Sequence, residues 1–400
     1  MRAVRVGVLA LTLVATGAPA PALAEVEPFA APPDRAKLVE EEQRVWSAGD
    51  DLDRSIRRAR NLYRDEALTG WLQSMLDALY PEFCGSIVLR GIVRDADPNA
   101  FVLPNGSVYL TLGLVGRMPS EAQLAMVLGH EAAHFVYRHG YRQMSSAKSM
   151  SAFGVGLTVF TGGIGAIGSV ALAGAFYGYS RDSEREADRI GFERVVRAGY
   201  PPQAGVEAFE ILAADAKLYE RKQPTFFASH PSMIERAEVF REMIAALPPG
   251  TSGAATRAGG EPVRATSYRA VTGKARLAYL QLAVETGRQK SIVAMLEPRF
   301  AAADIDPASA YWLGEAYRVR GDAGDAERAV AVYRWVLERA PDLAAAWRGI
   351  GEIARRGRRR TEAIDALQRY LDGAPEALDR EAVRAELERL QSSNEQEKTQ

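Results

Sequence analysis

His130-Glu131-Ala132-Ala133-His134 stands a third of the way along the chain, and Glu184-Arg185-Glu186-Ala187-Asp188 follows fifty residues later. On a helix, residues four apart share a face, so the imidazoles of His130 and His134 can grip one Zn²⁺. Glu184 offers a third ligand, with Asp188 one turn further on. Three protein ligands leave zinc's fourth position open for water, the arrangement of a catalytic rather than a structural site. Neutral imidazoles and a carboxylate suit the ion, because zinc takes its ligands deprotonated. Glu131 follows His130 directly and points along a different radius of the helix. It reads as the base that takes a proton from the attacking water and passes it to the leaving amine.

The neighbouring polar residues sort by spacing. Asp188, four residues after Glu184, can accept the outer ring N–H of a ligand histidine and fix its tautomer. Glu186 points away from Glu184 and reads as a surface charge. His139, five residues after His134, is poorly spaced for a shared ligand and reads as a structural hydrogen-bonder. His230, in Ser229-His230-Pro231, leaves three roles open: a surface residue at a helix start, a donor to the developing oxyanion, or a fourth ligand that keeps the site closed. Arg236 serves either the oxyanion or an acidic neighbour, and Tyr179 has no assigned role.

Working outward, Pro119-Ser120-Glu121-Ala122-Gln123 opens the helix that carries the motif. Ser120 caps it and Gln123 returns the bond, and the helix runs to about Tyr137. Upstream, Ser86 to Val93 and Ala100 to Leu112 are β-rich, split at residues 95–99 and at the Pro104-Asn105-Gly106 turn, which predicts a small sheet. Residues 35–80 and 181–247 favour helix. From Ser149 to Ser180 there is no charge and there are eight glycines. A single span there would put His130 and Glu184 on opposite sides of a bilayer, and two crossings would need about 20 residues each. The stretch reads as a loop or buried hairpin near the site, with shallow membrane contact as the other reading.

Residues 248–268 read as a linker, and 269–390 as a second domain of alanine-rich helices. A period of 34 pairs Ala329 with Ala363, Tyr333 with Leu367, Val336 with Tyr370 and Pro341 with Pro375. Leu313-Gly314 matches Ile350-Gly351 three residues out of phase, which places an insertion near Gly321 to Asp325. This is the tetratricopeptide period, whose helix pairs stack into a solenoid with a concave binding face. An ordinary helical bundle is the alternative. Residues 391–400 are polar and read as a disordered tail.

Composition narrows the class further. Four hundred residues with 47% apolar content suffice for two or three cored domains. Fifty basic residues against fifty-one acidic ones leave no electrostatic footprint for nucleic acid, so a protein partner is expected. Arg2 and Arg5, the apolar run Val6 to Val14, and Ala22-Leu23-Ala24 mark residues 1–24 as a signal peptide. Cys84 is the single cysteine. An exported chain without internal disulfides fits a bacterial periplasm. Between Phe83 and Ile87-Val88-Leu89, Cys84 reads as buried and apolar.

Together these features resemble the M48 family of zinc peptidases, in particular its periplasmic members with a tetratricopeptide domain. The resemblance is carried by Asn99-Ala100-Phe101 with Leu103-Pro104, Gly113-Leu114, Gly129-His130-Glu131 to His134, and Arg138-His139. It continues through Tyr179-Ser180-Arg181 to Glu184 and Asp188, Ala198-Gly199-Tyr200, and Ser229-His230-Pro231 with Arg236, and it covers residues 40 to 245. It implies an α+β fold: a mainly helical, zincin-like metallopeptidase domain (25–247) with a small β-sheet, then an all-α tetratricopeptide-like solenoid. It implies one Zn²⁺ per chain on His130, His134 and Glu184, Glu131 as base, and His230 as a regulator of the metal. The strand near Phe101 to Leu103 would align a substrate backbone as an added strand.

The implied substrates are unfolded or misassembled outer-membrane proteins, with the repeats contacting the barrel-assembly machinery. The implied location is the periplasm, with peripheral outer-membrane contact. Asn105, where the family often has glycine, and the long apolar segment at 149–180 depart from the pattern at substrate access, not at the metal. A chaperone or adaptor acting through its repeats, with a largely closed protease site, is the competing reading.

Overall fold

Three glutamates in the first turn and Arg57 and Arg58 in the last set the charges of the opening helix α1 (Glu40–Arg58) to complement its dipole. Its Val45, Leu52 and Ile56 face inward and are buried. Asp65 caps α2 (Glu66–Leu79) by accepting from Leu68 N–H at 3.0 Å. The computed structural model of the chain describes residues 26–144, 179–219, 233–248 and 265–398. Residues 1–24, most of 149–180 and His230 lie outside the described residues.

The β-rich stretch forms the expected sheet, ordered β1 (Leu62–Tyr63), β2 (Val88–Val93), β4 (Ser107–Thr111), β3 (Ala100–Val102). β1 and β2 are antiparallel, β2 and β4 parallel, and β3 pairs antiparallel on the far side of β4. Among the described residues β3 is thus an edge strand, and it lies against the metal-motif helix. The turn between β3 and β4 needs glycine at 106: φ is +82° and a Cβ would sit 2.0 Å from the Ser86 carbonyl oxygen.

After α3 (Leu112–Arg117) comes α4 (Glu121–Val136), with Ser120 and Gln123 forming the expected capping box and Ser120 N–H donating to Gln123 Oε1 at 2.8 Å. Every residue of α4 is buried. A helix enclosed on all sides is a central element rather than an amphipathic surface one. Around it lie α5 (His139–Met144), α6 (Arg181–Arg197), α7 (Gln203–Lys217) and α8 (Met233–Ala245). Phe209 of α7 stacks on Phe240 of α8 with ring centroids 5.1 Å apart.

The all-helical second part comprises α9 (Ala265–Glu285), α10 (Gln289–Ala301), α11 (Pro307–Arg320), α12 (Asp325–Arg339), α13 (Ala345–Arg356), α14 (Arg360–Gly373) and α15 (Arg380–Lys398). The period of 34 has a packing basis. Ala329, Tyr333 and Val336 of α12 and their counterparts Ala363, Leu367 and Tyr370 of α14 are all buried. Tyr333 fits against Gly314, and Leu367 against Gly351, where a Cβ would approach to 2.6 Å and 2.7 Å respectively.

This part is fastened to the first. Tyr268 donates to the Met118 carbonyl, and Tyr279 packs on Gly116 and accepts from Arg117 at 2.9 Å. Buried Asp215 at the end of α7 pairs with Arg117 at 2.7 Å and with Arg288, which also pairs with Asp97. Two sequence expectations differ here. The linker's last residues, Ala265 to Tyr268, already belong to α9, because the Tyr268 ring is buried against the first domain. The polar tail continues α15 to Lys398, through helix-favouring Glu, Gln and Lys. A third expectation fails: Cys84 is exposed, because the turn at Pro81–Phe83 sends Phe83 into the core and leaves the next side chain outside.

Candidate metal centre

Two glycines bring the halves of the motif together. α4 crosses α6 where Gly129 meets Gly191, and a Cβ on Gly191 would lie 2.8 Å from the His130 backbone nitrogen. With the backbones in contact, Glu184, two turns before Gly191, reaches the histidines. Ser180 starts α6 by accepting from Ser183 N–H at 3.1 Å, which leaves Glu184 in the first turn.

The Nε2 atoms of His130 and His134 lie 3.0 Å apart. Each is 3.6 Å from a Glu184 carboxylate oxygen. Tetrahedral zinc with bonds near 2.0–2.1 Å holds its ligand atoms about 3.3 Å from one another, so these donors surround a space of the right size. All three side chains are buried, and each offers an atom within 4.8 Å of the others. Glu131 is buried on the same helix, and its charge reaches Arg236.

Asp188 comes to His130 as its spacing suggested, with Oδ1 2.9 Å from Nδ1. Arg236 of α8 clamps Asp188 at 2.5 and 2.8 Å and lies 3.1 Å from Glu184 Oε2. Of the two roles open to Arg236 in the sequence, the hold on acidic neighbours is the one its position displays. Its guanidinium also lies over the Phe209 ring at 4.2 Å. Burial, with Arg236 beside it, pushes His130 down to about 4 against the pull of Asp188, so the ring is neutral at neutral pH. Burial alone would raise Asp188, but Arg236 and His130 hold its carboxyl below the usual carboxylate range. Burial works against the charge of Arg236, and Asp188 and Glu184 outweigh it.

Glu186, expected as a surface charge, is partly buried and paired. Its Oε2 lies 3.0 Å from His139 Nε2 and 2.9 Å from Arg142, and His139 Nδ1 lies 2.8 Å from His134 Nδ1. The cause is the turn after α4. Arg138 adopts φ +57°, in the left-handed region, and turns the chain so that His139 faces back toward His134. Arg138 is held there by the buried carboxylate of Glu42 and by the Glu27 carbonyl at 3.0 Å. Tyr179, unassigned from the sequence, stacks on the His134 ring at 3.7 Å.

Two helix-borne imidazoles, a carboxylate from a crossing helix and an acidic residue between the imidazoles form a donor set of metallopeptidase type. Comparison with known proteins agrees. The Peptidase family M48 profile matches residues 66–244. The chain is 30% identical over 180 residues to Metalloprotease YcaL of Escherichia coli, covering 44% of this chain and 69% of that protein. It is 35% identical over 153 residues to Mitochondrial metalloendopeptidase OMA1 of Saccharomyces cerevisiae, covering 37% of this chain and 44% of that protein. It is 30% identical over 197 residues to the Beta-barrel assembly-enhancing protease of Yersinia pestis, covering 46% of this chain and 40% of that protein. The matched stretch thus spans less than half of the last two relatives. The chain belongs to peptidase family M48.

Proposed function

We propose that this chain is a zinc-dependent endopeptidase of the bacterial periplasm that acts in outer-membrane protein assembly and quality control. The observation that carries the reading is the convergence of His130 Nε2, His134 Nε2 and the Glu184 carboxylate at separations of 3.0 to 3.6 Å. His130, His134 and Glu184 would hold the metal. When bound, zinc supplies Lewis acidity, activating a water and polarising the scissile carbonyl. Glu131 would take a proton from the attacking water and return it to the leaving amine. Asp188 receives the Nδ1–H of His130, which turns Nε2 toward the metal, and Arg236 keeps Asp188 in place. The edge strand β3 beside α4 is suited to align a substrate backbone as a further strand. His230 keeps the three roles the sequence leaves open: surface residue at a helix start, oxyanion donor or closing ligand.

The location rests on the signal-like residues 1–24 and on the assembly role printed in the name of the Yersinia relative. Among the described residues no helix is long and apolar enough to cross a membrane. The substrates would be misassembled outer-membrane proteins, with the helical second part, read as tetratricopeptide repeats, contacting the assembly machinery. The experiment is casein cleavage by wild type and Glu131→Gln, with zinc content measured in both. The expected result is loss of cleavage by about 10²-fold or more with zinc retained. Equal cleavage would overturn the reading. The burial of His130, Glu131, His134 and Glu184 favours a second reading, an adaptor with a closed site. Full restoration of outer-membrane assembly in cells by Glu131→Gln would support it.

A further inference from the structure

The two ligand imidazoles are supported differently. His130 Nδ1 meets a carboxylate directly, that of Asp188 at 2.9 Å. His134 Nδ1 meets a second imidazole, His139 Nδ1 at 2.8 Å, whose Nε2 lies 3.0 Å from Glu186. His139 is fully buried, and Arg142 holds the same Glu186 oxygen, Oε2, at 2.9 Å.

Two nitrogens of the same kind, Nδ1 facing Nδ1, need one hydrogen between them, and the surroundings decide whose it is. His134 Nε2 faces His130 Nε2 and Glu184 and must carry its lone pair there to bind a metal. The His134 proton therefore sits on Nδ1 and is donated to His139. His139 Nδ1 must then accept, which places the His139 proton on Nε2, where it is donated to the Glu186 carboxylate. This assignment satisfies the Nδ1–Nδ1 contact and the His139–Glu186 contact with both rings neutral. The reverse would aim the Nε2 lone pair of His139 at a carboxylate and put a proton of His134 into the metal space.

We propose that His139 and Glu186 are positioning residues for the metal centre: Glu186 fixes the tautomer of His139, which fixes that of His134 and turns its Nε2 lone pair toward the ion. The inference rests on the reading of His134 as a metal ligand. Carboxylate support of a ligand histidine is commonly worth 10 to 100-fold in metal affinity, and here an imidazole transmits it. Tyr179, stacked on His134, holds the plane of the ring, while the relay sets which nitrogen carries the proton.

The test uses the full chain loaded with zinc and labelled with ¹⁵N at histidine. Long-range ¹H–¹⁵N spectra should read His134 as protonated at Nδ1 and His139 as protonated at Nε2, with no variant required. Zinc affinity by chelator competition should fall about 10 to 100-fold in His139→Phe, which keeps ring volume, and in Glu186→Ala. Glu186→Gln, whose amide oxygen still accepts, should recover much of the loss. His139 protonated at Nδ1 in the wild type, or affinities within twofold for both variants, would overturn the relay. Should His134→Ala itself bind zinc as tightly as wild type, the underlying assignment of the metal site would fail instead, a separable outcome.

Discussion

Gly191 lies against His130 so closely that a methyl group on it would stand 2.8 Å from the His130 backbone nitrogen. That contact sets the distance between α4 and α6 and with it the reach of Glu184 to the histidines. Gly191→Ala must therefore part the helices or strain them, at about 1–3 kcal/mol of stability. Gly70, in the middle of α2, has nothing within 4 Å of its Cβ position. There the same change should stabilise by about 0.5–1 kcal/mol, since alanine suits a helix better. Urea melts of both variants, with zinc affinity measured on each, check the contrast. Equal effects would show that the helix crossing is slack.

Arg138 holds a backbone conformation that normally favours glycine, yet Arg138→Gly should lose stability. Relief of the left-handed strain is worth about 1 kcal/mol. Against it stands the unpaired Glu42 carboxylate, whose side chain is 1% exposed, at about 3 kcal/mol or more. A net loss of about 2 kcal/mol is expected from denaturant unfolding. A gain would mean that the ion pair contributes little.

Asp215 is the buried anion between Arg117 and Arg288, where the first domain meets the helical second part. Asp215→Ala leaves two guanidiniums short of a partner and should cost about 3–5 kcal/mol. The exposed pair Glu40–Arg44 is the contrast, and Glu40→Ala there should leave the unfolding midpoint nearly unchanged, because solvent screens the pair. Limited proteolysis between residues 248 and 265 should accelerate only in the Asp215 variant.

Metal-free protein should weaken with acid in a defined window. Burial lowers His130 from 6.5 to about 4, so the unfolded chain takes up a proton that the folded chain refuses. Its contribution is complete above about pH 6.5 and is lost as pH falls toward about 4. The unfolding midpoint of chelator-stripped protein should drop between about pH 6.5 and about pH 4, and His130→Gln should flatten that drop.

Much of the site was legible because helical spacing is local. His130, His134 and Glu131 share one continuous helix, and Glu184 and Asp188 a second, so period alone oriented them. The β3–β4 turn was legible for the same reason, since Pro104-Asn105-Gly106 is a local signal. The pairing of His139 with Glu186 was not, since it depends on the left-handed turn at Arg138, which rests on Glu42, 96 residues away. The Asp215 cluster joins residues between 73 and 191 positions apart, which no local pattern reveals. Cys84 misled because its apolar neighbours in sequence face the core while it does not.

Zinc-edge anomalous diffraction on zinc-loaded crystals tests the central claim most directly. The account predicts one peak per chain, bonded at about 2.0–2.2 Å by His130 Nε2, His134 Nε2 and a Glu184 oxygen. A loaded crystal with no peak there, or with the Glu184 carboxylate beyond bonding distance of it, would contradict the account.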